Sequence, residues 1–224
     1  MLKGKLQLFL SLMRRIKGAR ITKERVIENY KRYQARVKRF QELGYDIPKE
    51  RDFIIEKSQP VEGALLELGT GKGYFTLALA QKGYCLTTVD ISQEEQQFAR
   101  MNIEYFGLAH QVNFVVGNAE QLGFADESFD MAFAINVIHH LNQPFKVIDE
   151  LMRIMTQQGK IILSDFSKRG FEIVSQMHGS EGRYHSSGKY SLKDIEKYLL
   201  NKNCQLEKYH TDFQDLMIVY KGRH

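Results

Sequence analysis

No apolar stretch in this 224-residue sequence is long enough to cross a bilayer. The longest near the start, Leu6 to Met13, is broken by Gln7 and Ser11, whereas a spanning helix needs about 20 apolar residues. That run meets Arg14, Arg15 and Lys17 instead of a small-residue cleavage site, so no secretory leader is expected and the cytoplasm is the expected location. Cysteine is scarce. Cys85 and Cys204 stand at unrelated positions without His or Cys neighbours, which excludes a cysteine metal site and predicts two buried small hydrophobes. Internal repeats and low-complexity tracts are absent. Acidic residues are rare in residues 1–40, where thirteen Lys/Arg face two Asp/Glu; the rest of the chain is net acidic. Such asymmetry marks either the solvated faces of helices or a contact with nucleic acid or an anionic membrane.

What is present is an ordinary apolar fraction of 43%, enough for one sizeable core. Leu2, Leu6, Phe9, Met13 and Ile16 recur at helical spacing between basic residues and predict a short amphipathic helix. A second helix is expected over Thr22–Leu43, with Tyr30 and Tyr33 on its apolar stripe, and a short third over Lys49–Lys57. From Ala64 the texture changes to short apolar runs alternating with helical stretches. Strands are expected near 64–68, 84–90, 112–117, 129–135 and 159–165, with helices near 73–82, 92–106 and 142–156. That alternation predicts a doubly wound α/β sheet. A helix over Ser191–Asn203 then precedes strands at Gln205–His210 and Leu216–Tyr220, whose short link forces them antiparallel. The expected division is a basic helical extension over 1–60 and an α/β domain over 61–224.

Gly69, Gly71 and Gly73 fall where the first strand turns into its helix, the place where an open α/β sheet receives a ligand. Tyr74 stands where a dinucleotide fingerprint needs Gly or Ala, and Lys72 is followed by glycine, not by the Ser or Thr of a P-loop. Glu67, two residues before the glycines, would repel a pyrophosphate and suits a cationic ligand.

The segment Leu65-Leu-Glu-Leu-Gly-Thr-Gly-Lys-Gly-Tyr-Phe resembles the first motif of the class I methyltransferases that use S-adenosylmethionine (SAM), and the resemblance continues in order through residues 64–166. It is greatest to the branch acting on small molecules and quinones. It implies a seven-stranded sheet, mostly parallel with a reversed C-terminal strand, and SAM as cofactor with S-adenosylhomocysteine as product. Carried over residue by residue, Glu67, Gly69, Thr70, Gly71 and Gly73 form the turn. Asp90 then serves the ribose, Asn118 and Ala119 the adenine, and Asn136 and Val137 the methionine part, with Ile91 and Glu120 as further cofactor contacts. The sequence departs twice, with Asn118 for an aspartate and Gly123 for a proline, and the first removes the charge assistance at the adenine amino group.

Methyl transfer from a sulfonium asks the protein mainly for orientation and desolvation. A base helps only acceptors that carry a proton, and His139-His140 follow the fourth strand, so His140 is a candidate base and His139 a substrate contact. The polar, glycine-rich stretch from Asp165 to Gly188 is expected to be a loop at the ligand-facing edge. It offers Arg183 and Tyr184 as substrate contacts and His178 and His185 as further catalytic candidates. No resident metal is expected. Tyr30 and Tyr33 are expected either in core packing or in a lid over the SAM cleft, where they would touch substrate; peripheral membrane contact through residues 1–17 is the alternative use of the amino-terminal helices. The expected acceptor is a small or lipid-like metabolite. An RNA acceptor gripped by the basic helices is the alternative, disfavoured because no Asn/Asp-Pro-Pro-aromatic motif follows strand four. A SAM-binding regulatory protein without catalysis is the reading from another class.

Overall fold

A computed structural model describes residues 21–180 and 188–222. The readings placed on residues 1–17, Arg183, Tyr184 and His185 lie outside the described residues.

The chain enters through helix α1 (Lys23–Glu42), whose N-cap Thr22 accepts from the Arg25 N–H, and α2 (Ile47–Lys57), capped by Asp46 with Pro48 in its first turn. Thus Pro48 sits inside the helix start, and α2 begins two residues before the expected Lys49. Strands β1 (Leu65–Leu68), β2 (Leu86–Asp90), β3 (Val112–Val116), β4 (Phe129–Ile135), β5 (Met155–Phe166), β6 (Gln205–His210) and β7 (Gln214–Tyr220) form one sheet in the order β3-β2-β1-β4-β5-β7-β6. The first five pair parallel, and β7 lies antiparallel between β5 and β6. Helices α3 (Tyr74–Gln81), α4 (Gln93–Tyr105) and α5 (Pro144–Ile154) are the crossovers, and α7 (Leu192–Asn201) precedes the final hairpin. Strand order reverses between β1 and β4, and the glycine turn follows β1 at that switch point.

Two cores sandwich the sheet. One gathers Leu66, Leu68, Ala132 and Leu163 with α5 and α7; the other sets Leu65, Phe133 and Ile162 against Phe75 of α3 and Ile54 and Ile55 of α2. A third cluster joins Phe40, Tyr45 and Ile47 to Ile173, Val174 and Met177. Helix α2 thus packs on the sheet, and α1 and α2 together pack on Ile173, Val174 and Met177.

The structure corrects two expectations. Lys168–Ser180 forms helix α6, where a loop was expected. Gly170 does not break it: a Cβ there would meet the Phe213 carbonyl oxygen, so the glycine serves close packing inside the helix. Ser167 starts the helix, its Oγ accepting from the Gly170 N–H at 3.2 Å, while Ile173, Val174 and Met177 supply the buried face. Cys204 is buried, but Cys85 is exposed, because it lies in the turn from α3 into β2, ahead of the first paired residue, Leu86.

Candidate active site

The glycine turn leaves β1 with all three glycines at positive φ, +83° at Gly69, +48° at Gly71 and +79° at Gly73. Their surroundings differ. A Cβ on Gly69 would lie 2.8 Å from Val137 Cγ2, and one on Gly73 would lie 2.7 Å from the Ala99 Cβ of α4. A Cβ on Gly71 would meet nothing within 4 Å. Two glycines thus let the protein close on itself, and the middle one faces open space, the side from which a ligand reaches the backbone.

Beneath the turn runs a chain of hydrogen bonds with one polarity. Thr76 Oγ1 and Thr88 Oγ1 both donate to Glu67 Oε2, at 2.5 and 2.7 Å. With the Thr88 proton committed, Thr70 Oγ1 must be the donor across its 2.6 Å contact with Thr88 Oγ1, and Gln96 Nε2 donates to Thr70 at 3.2 Å. The Thr70 hydroxyl therefore faces inward, leaving only its backbone for a ligand. Glu67 is 2% exposed, and burial pushes its carboxyl up to about 7, against the opposing pull of the two threonine hydroxyls.

Asp90, at the end of β2, accepts from the Gly71 N–H through Oδ2 and from the Ser92 N–H through Oδ1, both at 2.8 Å. The carboxylate is thereby fixed in direction while each oxygen keeps a lone pair for a diol. Beside it Ile91 is 74% exposed, an apolar surface with nothing of the protein on it. After β3, Asn118 Oδ1 accepts from the Glu120 N–H at 2.9 Å, so the residue that replaces the expected aspartate shapes its own loop. Ala119 packs against the core, and Glu120 turns toward α5, accepting from Gln143 at 3.1 Å.

At the far side of the switch point, Asn136 adopts φ +56° just beyond β4, where its N–H donates to the Ser164 carbonyl oxygen of β5. His139 is 3% exposed. Its Nδ1 lies 2.6 Å from Asp165 Oδ1, and its backbone N–H donates to Asp165 Oδ2 at 3.1 Å, tying the end of β4 to that of β5. His140 is exposed, its ring 4.0 Å from that of His139. His178 sits in the last turn of α6, on a different element from the His139–His140 pair. No group of three His, Cys, Asp or Glu side chains gathers as metal ligands among the described residues.

Tyr30 and Tyr33 of α1 enter an aromatic stack: Tyr30 lies 3.8 Å from Tyr105 of α4 and 5.7 Å from Tyr33, which lies 5.1 Å from Tyr74 at the start of α3. This stack clamps α1 against the glycine turn, and burial pushes the Tyr33 hydroxyl up to about 12.

Residues 66–163 match the model of the methyltransferase domain family. The matched segment is similar to that domain family, and the seven-stranded sheet around it has the fold of the class I, SAM-dependent methyltransferases. The methyltransferase GfsG of Streptomyces halstedii is 30% identical over 135 residues, 60% of this chain and 49% of that protein. The ubiquinone/menaquinone biosynthesis C-methyltransferase UbiE of Rickettsia massiliae is 31% identical over 127 residues, 53% of this chain and 50% of that one. The chain thus spans about half the length of these curated relatives. Among solved structures, a putative SAM-dependent methyltransferase of Methanococcus maripaludis superposes with a TM-score of 0.67 at 15% identity, covering 93% of this chain and 98% of that one, a likeness of fold.

The methyltransferase site fits SAM on its own geometry: an open face at Gly71, a directed carboxylate at Asp90 and a bare apolar side chain at Ile91. Two residues that the sequence analysis missed stand at the same edge. Tyr45 accepts from Gln214 Nε2 at 2.7 Å, and Arg51 of α2 is buried. A signal for Arg51 existed, since it lies midway between Ile47 and Ile55 at four-residue spacing on the buried face of α2.

Proposed function

We propose that this methyltransferase passes the methyl group of SAM to a small or lipid-like acceptor, leaving S-adenosylhomocysteine. The observation that carries the reading is the Gly71–Asp90 pair: a backbone N–H locked onto a carboxylate beside open space and next to a bare Ile91. When bound, SAM supplies a methyl already activated on a sulfonium. The chain's own work is then to hold and desolvate. Asp90 accepts the ribose hydroxyls, Ile91 covers one face of the adenine, and the Asn118–Ala119 loop meets its edge. Asn136 and Val137 border the methionine part, and Glu67 sets negative charge beneath the turn. His140, exposed beside the buried His139–Asp165 pair, takes the proton of an acceptor that carries one. A small or lipid-like acceptor is supported by the relative named for ubiquinone and menaquinone biosynthesis.

Two measurements test this. Titration calorimetry should show S-adenosylhomocysteine binding that weakens about tenfold or more, roughly 1.4 kcal/mol, in Asp90→Ala. Incubation with methyl-labelled SAM in cell extract, followed by fractionation, should place label in the lipid or small-molecule fraction. Label in RNA would overturn the acceptor class, and label nowhere would overturn catalysis.

A further inference from the structure

Arg51 is 7% exposed, yet its Nε and Nη1 are shut off from solvent without a hydrogen-bond acceptor among the described residues. A guanidinium in that state is costly, because burying an ion forfeits several kcal/mol of hydration unless an anion replaces the water. Neighbouring acids do not supply one. Glu50, one residue earlier, accepts from Thr211 Oγ1 at 2.6 Å, and Glu67 Oε2 already holds two threonine hydroxyls. Arg51 nonetheless lies within electrostatic reach of Glu50, Glu67, Tyr33 and Tyr45, pulling down the pKa that burial raises at all four.

The location narrows the missing anion. Arg51 faces Glu67 of β1 and Tyr45, which contacts Gln214 of β7, so it stands toward the β4–β5–β7 side of the switch point. Asp90 and Asn118, which serve ribose and adenine, follow β2 and β3 on the other side. The amino-acid end of SAM therefore points toward Arg51. That end is a zwitterion beside a sulfonium and calls for one negative and one positive partner. Glu67 is the first, and Arg51 is the only buried guanidinium beside it among the described residues. We propose that Arg51 binds the α-carboxylate of the methyl donor, so that the helical extension completes the donor site from outside the 66–163 segment that matches the family. This rests on the donor reading above. An anionic acceptor is the rival source of charge, and the experiment separates the two.

Calorimetry is run with S-adenosylhomocysteine and with its decarboxylated analogue, identical except for hydrogen in place of the carboxylate. The wild-type protein should prefer the former by about 30-fold, the scale of a charge-assisted contact. Arg51→Gln should lose about that factor for S-adenosylhomocysteine and less than about threefold for the analogue, with Arg51→Lys restoring part of the preference. Equal loss for both ligands would mean that Arg51 only holds the fold and would overturn the proposal. Unchanged S-adenosylhomocysteine affinity in Arg51→Gln would overturn it in favour of an acceptor anion. The wild-type comparison needs no folded variant: a wild type that binds both ligands equally overturns the carboxylate contact alone, whereas one that binds neither removes the donor reading as well.

Discussion

The two ends of the proposed donor site are built in different ways. At the ribose–adenine end, Gly71, Asp90, Ile91 and Asn118 sit on turns that directly follow their own strands, with side chains at or near the surface and bonds to backbone a few residues away or on the adjoining turn. At the methionine end, Glu67, Arg51, Tyr45, Asn136 and the His139–Asp165 pair are partly or fully buried and come from β1, α2, the link between α1 and α2, the segment after β4, and β5, with β7 behind them. The first end recognises shape with little commitment of charge. The second keeps ionisable groups out of water, where every charge must be answered by the ligand or the protein.

The largest expected effect breaks the hinge between the ends. Gly73→Ala forces a side chain into a left-handed backbone and to within 2.7 Å of the Ala99 Cβ. Denaturant unfolding should report a loss of about 3 kcal/mol, with donor binding lost beyond detection. A loss under about 1 kcal/mol would show that α4 yields easily and that the turn is not fixed from behind.

A second experiment sharpens the electrostatic contrast. Burial raises the Glu67 carboxyl from 4.5 to about 7, so the folded protein holds a proton that the unfolded chain releases. Its contribution to stability is fully present below about 4.5 and is lost as pH rises through about 7. Binding of cationic SAM favours the ionised form. Affinity should therefore rise about tenfold between pH 6 and pH 8, with proton release visible as a buffer-dependent calorimetric enthalpy. Glu67→Gln should flatten both, and a wild-type affinity independent of pH would remove the charge assignment.

The smallest effect concerns the open end. Asn118→Asp restores a charged acceptor at the adenine edge and should tighten S-adenosylhomocysteine binding about threefold, as read by calorimetry. Weaker binding would mean that the Asn118 turn, with its Oδ1 on the Glu120 N–H, matters more than the acceptor's charge.

This contrast also explains what could be read from the sequence. The sheet, its reversed strand and the glycine turn after β1 are legible because each depends on local periodicity or on a few consecutive positions. Helix α6 was not. Gly170 and Gly179 look like breakers in sequence, and only the Phe213 carbonyl on the next hairpin explains Gly170. Arg51 and Tyr45 were missed for the same reason, since their meaning depends on residues about 20 to 170 positions away. Thr70 shows the converse: a motif position read from sequence as cofactor-binding, whose hydroxyl turns inward because Thr88 and Gln96 engage it.

The Tyr45–Gln214 bond spans 169 positions, and its neighbour Glu50–Thr211 spans 161. In a chain emerging from the ribosome, residues up to Asn118 are free to arrange the ribose–adenine end well before β7 exists. The methionine end must wait for about 100 further residues, roughly 5–20 s of synthesis. Donor grip and donor orientation are thus acquired at different times, and a nascent chain passes through a stage with half a site.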